Sequence, residues 1–553
     1  MNDLQTKSLF DLKDLRLAWE RVNASVGTDS KDYFGISVYS TDIDKYLSEI
    51  QEKLTTNSYE PKRPFKYFEP KNTGTQRTKT VLRISDAIIY QAIADKVAFH
   101  LYDHLSETKG HIYGSVLNEN VTKGAALLDE EYPDFYFFEY YVSLYNRFIE
   151  GINNTLELVV YKLETDITGF FDCIPHSSLI LELNRLGVDK GILELLATCL
   201  NAWSGTRDMS TYHVGIPQGP AASFLFANII LDGLDRLIID QGVSYHRFMD
   251  DIRIYGSSEK ELLSMLVIVD RYLKGRSLCI NTNKTVIQKI SENVEEEEEY
   301  EDIFLDRSGI PLEDKIEDGI EHDIVIQDQT QSKETGSHIQ NTSPSIAVKL
   351  YHLALKRIED ELLEDYLTLM SRPGSYAVPK HNVRKFLTLS QKWRITVKAI
   401  QSIQEYSPRD ELVKVWLFGI RKLYWKANSM VWNLKCYDSL EKYYSDFESI
   451  ISDFDRFEWV KYQVLNIYSK VLGSDKSKQQ KAINDLESEE SPLVRLGYYS
   501  ILIDVIETDS QLFSSISSLL KQENEKYVKE SVLDMVHRRH LNISISHLES
   551  WFL

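Results

Sequence analysis

The sequence predicts an α+β domain followed by an all-α array, and three observations carry that expectation. Residues 1 to about 290 mix helical periods, such as Asp86 to Leu105, with short β-rich runs, such as Leu156 to Leu163 and Ile252 to Tyr255. Residues 292 to about 344 break both periods, with a glutamate run from Glu295 to Glu299 and a polar stretch ending Asn341-Thr342-Ser343-Pro344. From about residue 345, amphipathic helical segments such as Tyr351 to Met370 and Leu412 to Tyr424 follow without strand alternation. The expected domains are 1–290, an exposed acidic linker or mobile insertion at 291–344, and a helical domain at 345–553.

Within the helical part a weak repeat recurs. Trp459-Val460-Lys461-Tyr462-Gln463-Val464-Leu465, Leu493-Val494-Arg495-Leu496-Gly497-Tyr498-Tyr499 and Tyr527-Val528-Lys529-Glu530-Ser531-Val532-Leu533 are each offset by 34 residues. A fixed period of this size predicts stacked helix pairs, each burying one face on its neighbour. The apolar-Val-basic start resembles the second helix of HEAT repeats, although the period is shorter than usual.

Composition narrows the class. With 553 residues, 43% of them hydrophobic, the chain can bury a large core in two to four domains. No run of 18 apolar residues is present, so no membrane span is expected. Met1-Asn2-Asp3-Leu4-Gln5 lacks the basic start and apolar stretch of a signal peptide, and a cytoplasmic location is expected. Cys173, Cys199, Cys279 and Cys436 are scattered without zinc-ligand spacing, which fits a reduced compartment. The net charge of −21 is concentrated: Glu292 to Asp323 holds 15 acidic and 2 basic residues. Setting that local −13 aside leaves −8 for the other 521 residues, which can still present basic surface to phosphates.

Two short motifs carry the chemistry. Leu158 to Thr165 is a β-rich run that delivers Asp166 to a strand end, ahead of Ile167-Thr168-Gly169-Phe170-Phe171-Asp172. By itself Asp166 equally fits a turn or a helix N-cap before a buried aromatic pair. His246-Arg247-Phe248-Met249-Asp250-Asp251-Ile252-Arg253-Ile254-Tyr255 is an apolar run interrupted at its centre by adjacent acids. A buried strand should not carry such a pair, whereas a hairpin with the acids at its tip explains the pattern. Asp166, Asp250 and Asp251, with the backbone oxygen of Ile167, offer the hard oxygen donors that Mg²⁺ prefers. Two divalent ions roughly 3.5–4 Å apart would stabilise the attacking and leaving oxygens of an in-line phosphoryl displacement, the chemistry of polymerases. Between the motifs, His213-Val214-Gly215-Ile216-Pro217-Gln218-Gly219-Pro220 shapes an irregular loop, and Ala221 and Ala222 allow a bulky ligand close to the backbone.

These segments resemble the motifs of reverse transcriptases, in the bacterial group that includes group II intron, retron and defence-associated enzymes. The acid-aromatic motif, the Pro-Gln-Gly loop and the acid pair follow in that family's order and approximate spacing. Pro70-Lys71-Asn72-Thr73-Gly74-Thr75-Gln76-Arg77 resembles the fingers segment that grips incoming triphosphate and template. His111-Ile112-Tyr113-Gly114-Ser115 resembles the Tyr-Gly element, Leu17 to Val22 the N-terminal extension, and Ile280-Asn281-Thr282-Asn283-Lys284-Thr285 the element near the primer end. The resemblance spans about residues 10–290 and implies a right-hand polymerase fold with fingers and palm.

Carried over by position, Asp166, Asp250 and Asp251 would be the catalytic metal ligands, with Ile167 adding its carbonyl. Two Mg²⁺ ions, replaceable by Mn²⁺, are implied. Phe171 would sit beneath the sugar and reject a 2′-hydroxyl by bulk. Phe170, Gln218, Gly219, Phe248 and Met249 would line the nucleotide and template pocket. Lys71 and Arg77 would contact triphosphate, and Lys284 would support the primer terminus. The family often has tyrosine where Phe248 stands, so one hydrogen bond near the primer is lost.

The second half resembles abortive-infection and other defence-associated bacterial reverse transcriptases, in which an α-repeat domain follows the polymerase and homo-oligomers are common. Some members extend DNA without a template, primed from a protein hydroxyl such as tyrosine; nothing in the sequence selects one of the 32 tyrosines, or a serine, for covalent DNA. The implied partners are dNTPs, a DNA product and an RNA template or non-coding RNA. The alternatives are a templated enzyme acting with its own structured RNA and a silent scaffold that binds RNA or a partner.

Overall fold

The computed structural model describes residues 9–25, 32–156, 159–205, 212–290, 344–370, 380–505 and 510–539. Its contacts divide the chain into two units, residues 1–66 with 78–299, and residues 67–77 with 300–553. The expected acidic linker at 291–344 lies outside the described residues, apart from Pro344, which opens a helix.

The first unit is built on a four-stranded antiparallel sheet of order β4-β5-β3-β6, formed by β3 (Tyr161–Thr165), β4 (Ser244–Phe248), β5 (Asp251–Gly256) and β6 (Val286–Lys289). Two more strands, β1 (Phe65–Pro70) and β2 (Gln76–Val81), pair as a separate hairpin. The helices of this unit are α1 (Leu12–Ala24), α2 (Tyr33–Tyr39), α3 (Ile43–Thr55), α4 (Ile84–Ser106), α5 (Tyr141–Leu156), α6 (Phe170–Cys173), α7 (His176–Arg185), α8 (Lys190–Trp203), α9 (Ala221–Ile239) and α10 (Glu259–Lys274).

Local chemistry explains the elements that flank the site. In α10, Leu262, Met265, Val269 and Leu273 recur at helical spacing and are buried, and this helix packs on β3, β5 and β6. Ser258 caps its start by accepting the N–H of Glu261, with acids in the first turn and Arg271 and Lys274 in the last, each matched to the helix dipole. By contrast, α9 is apolar on nearly every face and runs through the interior, packing on α4, α7 and β4. A segment the sequence marked as a small Tyr-Gly element lies alongside β4: Arg247 donates its N–H to the His111 carbonyl, and Tyr113 donates to the Arg247 carbonyl.

Among the described residues, the secondary structure of the second unit is helical except for residues 67–77, the tip of the β1–β2 hairpin. That tip is held by long-range contacts. Glu458 accepts the N–H of Phe68 at 2.8 Å, and the hydroxyl of Tyr424 donates to the Asn72 carbonyl at 3.3 Å. Elsewhere in the unit, helices Pro344–Met370 and Lys380–Ile403 pack on each other, and Trp393 meets Trp416 in the core in a tilted ring contact, 4.9 Å between centroids.

The three segments offset by 34 residues fall on helices Glu458–Leu465, Pro492–Val505 and Lys526–Arg539, which pack in succession. Val460, Val494 and Val528 are fully buried at equivalent positions. The basic residues that follow the first two valines make matching ion pairs: Lys461 pairs with Glu489 at 2.6 Å, and Arg495 with Glu523 at 2.8 Å. Both pairs span the same separation, so each cation reaches the acid that belongs to the next helix pair.

Candidate active site

The register of the sheet assembles the acids. Thr165, the last residue of β3, pairs with Ile252 of β5. Continuing that antiparallel register places Asp166 across from Asp251. On the other side Phe248 of β4 pairs with Asp251, so only Met249 and Asp250 turn the hairpin. Met249 sits at φ +55°, the left-handed region that suits two-residue hairpin turns but that a side chain disfavours by roughly 1–2 kcal/mol. All three carboxylates therefore emerge at one end of two adjacent strands.

The residues after Asp166 are pinned as well. The carbonyl of Asp166 accepts the N–H of Asn281 at 2.8 Å, and Thr168 donates to the carbonyl of Cys279 at 2.9 Å. This brings Lys284 to the site: its ammonium lies 2.7 Å from Oδ2 of Asp166. Oδ1 of the same carboxylate is buried and has no hydrogen-bond partner. Asp251 accepts from the guanidinium of Arg253 at 3.4 Å.

Among the described residues, no three His, Cys, Asp or Glu side chains are closed up as a metal-binding group. Asp166 and Asp251 are instead turned toward the cations of Lys284 and Arg253. The donor set still fits a hard divalent ion. A buried carboxylate oxygen without a partner costs about 1–3 kcal/mol, a penalty that ligation of a cation would remove. Asp166, Asp250 and Asp251 with the Ile167 carbonyl would be the residues to hold it, since Mg²⁺ favours oxygen donors of this kind.

The remaining expected residues divide into two sets. Phe171 is half-buried, edge-on to Phe224 of α9 at 5.2 Å, and its carbonyl accepts the N–H of Ile216. It joins the first motif to the Pro-Gln-Gly loop. Gln218 is half-buried, and its carbonyl accepts the N–H of Thr80 from β2. Gly219 and Gly215 hold φ of +144° and +88°, and a Cβ on Gly215 would stand 3.0 Å from the Asp172 carbonyl.

Three of the residues expected to line a nucleotide or template pocket are buried. Phe170 is a core residue, 3% exposed. Phe248 is buried among Tyr141, Tyr145 and Phe148 of α5, at 5.2–5.5 Å between ring centroids. The Met249 side chain is also buried. Aromatic and thioether groups of this size gain more from apolar burial than from facing a polar cleft, so these residues shape the site through the backbone. Lys71 and Arg77 lie on the hairpin segment that groups with the helical unit.

One part of the site carried no expected role in the sequence. Arg247 of β4 and Asp235 of α9 form a buried, bidentate ion pair at 2.6–2.7 Å, and Nη1 of Arg247 donates to the Met249 carbonyl at 2.7 Å and to Asn228 at 2.9 Å. The signal was present: an arginine within an apolar strand and an aspartate within an apolar helix are rarely buried unless they meet.

Residues 70–303 match the family model described as reverse transcriptase (RNA-dependent DNA polymerase). The chain carries a reverse transcriptase domain. Such a domain belongs to the nucleotidyltransferases, and the three carboxylates and the Pro-Gln-Gly loop all fall inside the matched span. The reverse transcriptase domain is similar to the COX1/OXI3 intron 2 protein of Saccharomyces cerevisiae, at 25% identity over 42% of this chain and 24% of the relative. A 91 kDa protein in the cob intron of Schizosaccharomyces pombe is 40% identical over 14% of this chain and 10% of its own length. The Pol polyprotein of the type-1 retrotransposable element R2 of Popillia japonica is 27% identical over 22% of this chain and 20% of its own. The chain thus spans about a quarter or less of these relatives. Among solved structures, the telomerase of Candida albicans with a fragment of telomeric RNA aligns at a TM-score of 0.32 and 12% identity, over 82% of this chain and 68% of that one.

Proposed function

We propose that the reverse transcriptase domain is an active DNA polymerase that adds dNTPs to a 3′-hydroxyl by two-metal phosphoryl transfer, using Mg²⁺ or Mn²⁺. The observation that carries this reading is the strand register that sets Asp166 across from Asp251, beside a carboxylate oxygen that lacks a partner. Divalent ions bound there would neutralise charge on the attacking and leaving oxygens. The chain's own residues do the rest. Phe171 limits space beside the sugar, and the Gly215–Gly219 loop lets a nucleotide approach the backbone.

The wider role we infer is bacterial anti-phage defence by abortive infection, with synthesis that is protein-primed and independent of a template. Support comes from the helical unit, read as a HEAT-like stack on the strength of its recurring buried valine and its ion-pair ladder. Tyr212, 82% exposed beside the Pro-Gln-Gly loop, offers a hydroxyl for priming. A second reading, templated copying of an associated RNA, is favoured by the intron and retrotransposon proteins among the relatives.

Purified protein incubated with Mg²⁺ and labelled dNTPs should incorporate label, and Asp250→Ala with Asp251→Ala should abolish it. Incorporation that survives the double substitution would refute the site. Label that partitions with protein into phenol supports protein priming. Sequencing the product then separates the readings, because one abundant RNA copied into DNA means templating, and random or homopolymeric DNA means untemplated extension.

A further inference from the structure

The hairpin that presents Asp250 and Asp251 is held from behind by charge. Arg247 is 1% exposed and Asp235 is 2% exposed. Asp235 accepts from Nε and Nη2 of Arg247 and, at 2.6 Å, from the hydroxyl of Tyr245. The third guanidinium nitrogen, Nη1, is shared between the Asn228 side-chain oxygen and the Met249 carbonyl. Asn228 in turn donates to the carbonyl of Gly114 at 2.8 Å. Asp235 and Asn228 are set by α9, and Arg247 and Tyr245 by β4.

A buried ion pair is a poor device for stability alone, because apolar residues of the same volume usually do as well or better. Its geometry here points elsewhere. Met249 occupies a left-handed conformation that a non-glycine residue holds only when its surroundings over-determine it. The Met249 carbonyl belongs to the peptide plane that leads into Asp250. Whatever fixes that oxygen fixes the direction in which the Asp250 side chain leaves the turn, while Asp251 is already set by its pairing in β5. The planar guanidinium can hold Asp235 with one edge and the Met249 carbonyl with the other, which a lysine ammonium cannot do.

We propose that Arg247, itself set by Asp235 and Asn228, is a positioning residue for the acid pair: it clamps the Met249 carbonyl and so aims Asp250 into the metal site. The clamp rests on the reading of Asp250 and Asp251 as metal ligands.

The test titrates the full-length protein with Mn²⁺ alone, read by the loss of free Mn²⁺ resonance, alongside thermal unfolding and steady-state kinetics. Arg247→Lys should weaken Mn²⁺ binding at least tenfold and lower the melting temperature. Adding Met249→Gly to that variant, which lets the turn adopt its left-handed conformation without a clamp, should recover much of the Mn²⁺ affinity but not the melting temperature. Asn228→Ala leaves the Arg247–Asp235 pair intact and guards against a failure of Arg247→Lys to fold. It should weaken Mn²⁺ binding severalfold and lower kcat while leaving KM for dNTP nearly unchanged. Wild-type Mn²⁺ affinity in both single variants would overturn the clamp, and so would a loss that Met249→Gly does not restore. The Asp250→Ala, Asp251→Ala double variant separates the two levels: if it binds Mn²⁺ as the wild type does, the site reading fails, and the clamp with it.

Discussion

The ammonium of Lys284 lies 2.7 Å from Oδ2 of Asp166, across 118 residues of sequence. The carboxylate proposed to receive a divalent ion thus carries a cation from its own chain. Lys284 is largely exposed, so the pair is worth no more than about 0.2–1 kcal/mol. Replacing it with methionine should strengthen Mn²⁺ binding to the substrate-free protein roughly two- to fivefold, by removing that competitor. Titration of the Lys284→Met variant checks this, and weaker binding would show that the lysine assists the ion.

Phe171 stands edge-on to Phe224 and half-exposed at the junction of the two loops. If its bulk excludes a 2′-hydroxyl, Phe171→Ala should admit ribonucleotides. A shape difference of this kind is worth about 1–3 kcal/mol, or about 10–200-fold in the ratio of kcat/KM for dNTP over rNTP. An unchanged ratio in the folded variant would remove Phe171 from that role.

Gly114 packs against the turn itself, and a Cβ there would meet the backbone nitrogen of Met249 at 2.4 Å. Backbone cannot rotate aside as a side chain can, so Gly114→Ala should shift the hairpin, cost about 1–3 kcal/mol and depress kcat strongly. Gly242→Ala is the control, because nothing lies within 4 Å of its Cβ and only its φ of +73° is strained. It should cost about 1 kcal/mol and leave kcat unchanged.

His246, beside Tyr113 and Thr155, is buried, and desolvation, with His111 and Arg253 nearby, pushes its pKa down to about 4. The folded value lies below the unfolded value of about 6.5, so its contribution is present above pH 6.5 and is lost as pH falls toward 4. Relative to His246→Gln, the wild type should lose up to about 3 kcal/mol of stability across that window. Denaturant unfolding of both proteins at several pH values measures the difference, and parallel curves would contradict it.

In the helical unit, Arg495 offsets the charge of Glu523, which is 2% exposed as a side chain. Arg495→Met should cost about 3–5 kcal/mol by leaving that carboxylate buried and unpaired, and adding Glu523→Met should recover most of the loss. Chemical unfolding of the single and double variants decides whether the ladder is structural.

Much of the site could be read from the chain because acids interrupted apolar runs. Asp250-Asp251 between Phe248-Met249 and Ile252-Arg253-Ile254 breaks the strand pattern where a hairpin must turn, and the structure turns there. The helical period of the second half and its 34-residue recurrence were likewise local properties. The burial of Phe170 and Phe248 was not legible, because an aromatic beside a motif looks the same in sequence whether it faces a ligand or the core.

By itself the sequence determined which residues are candidates to hold a metal and which stretches favour strand or helix, since both follow from side-chain chemistry and short periods. Tertiary structure alone decided the partners. The Lys284–Asp166 pair, the Arg247–Asp235 clamp and the hold of Glu458 on the fingers hairpin join residues 118, 12 and 390 positions apart. Pairings of that kind depend on strand register and helix packing, which only the whole buried surface can select.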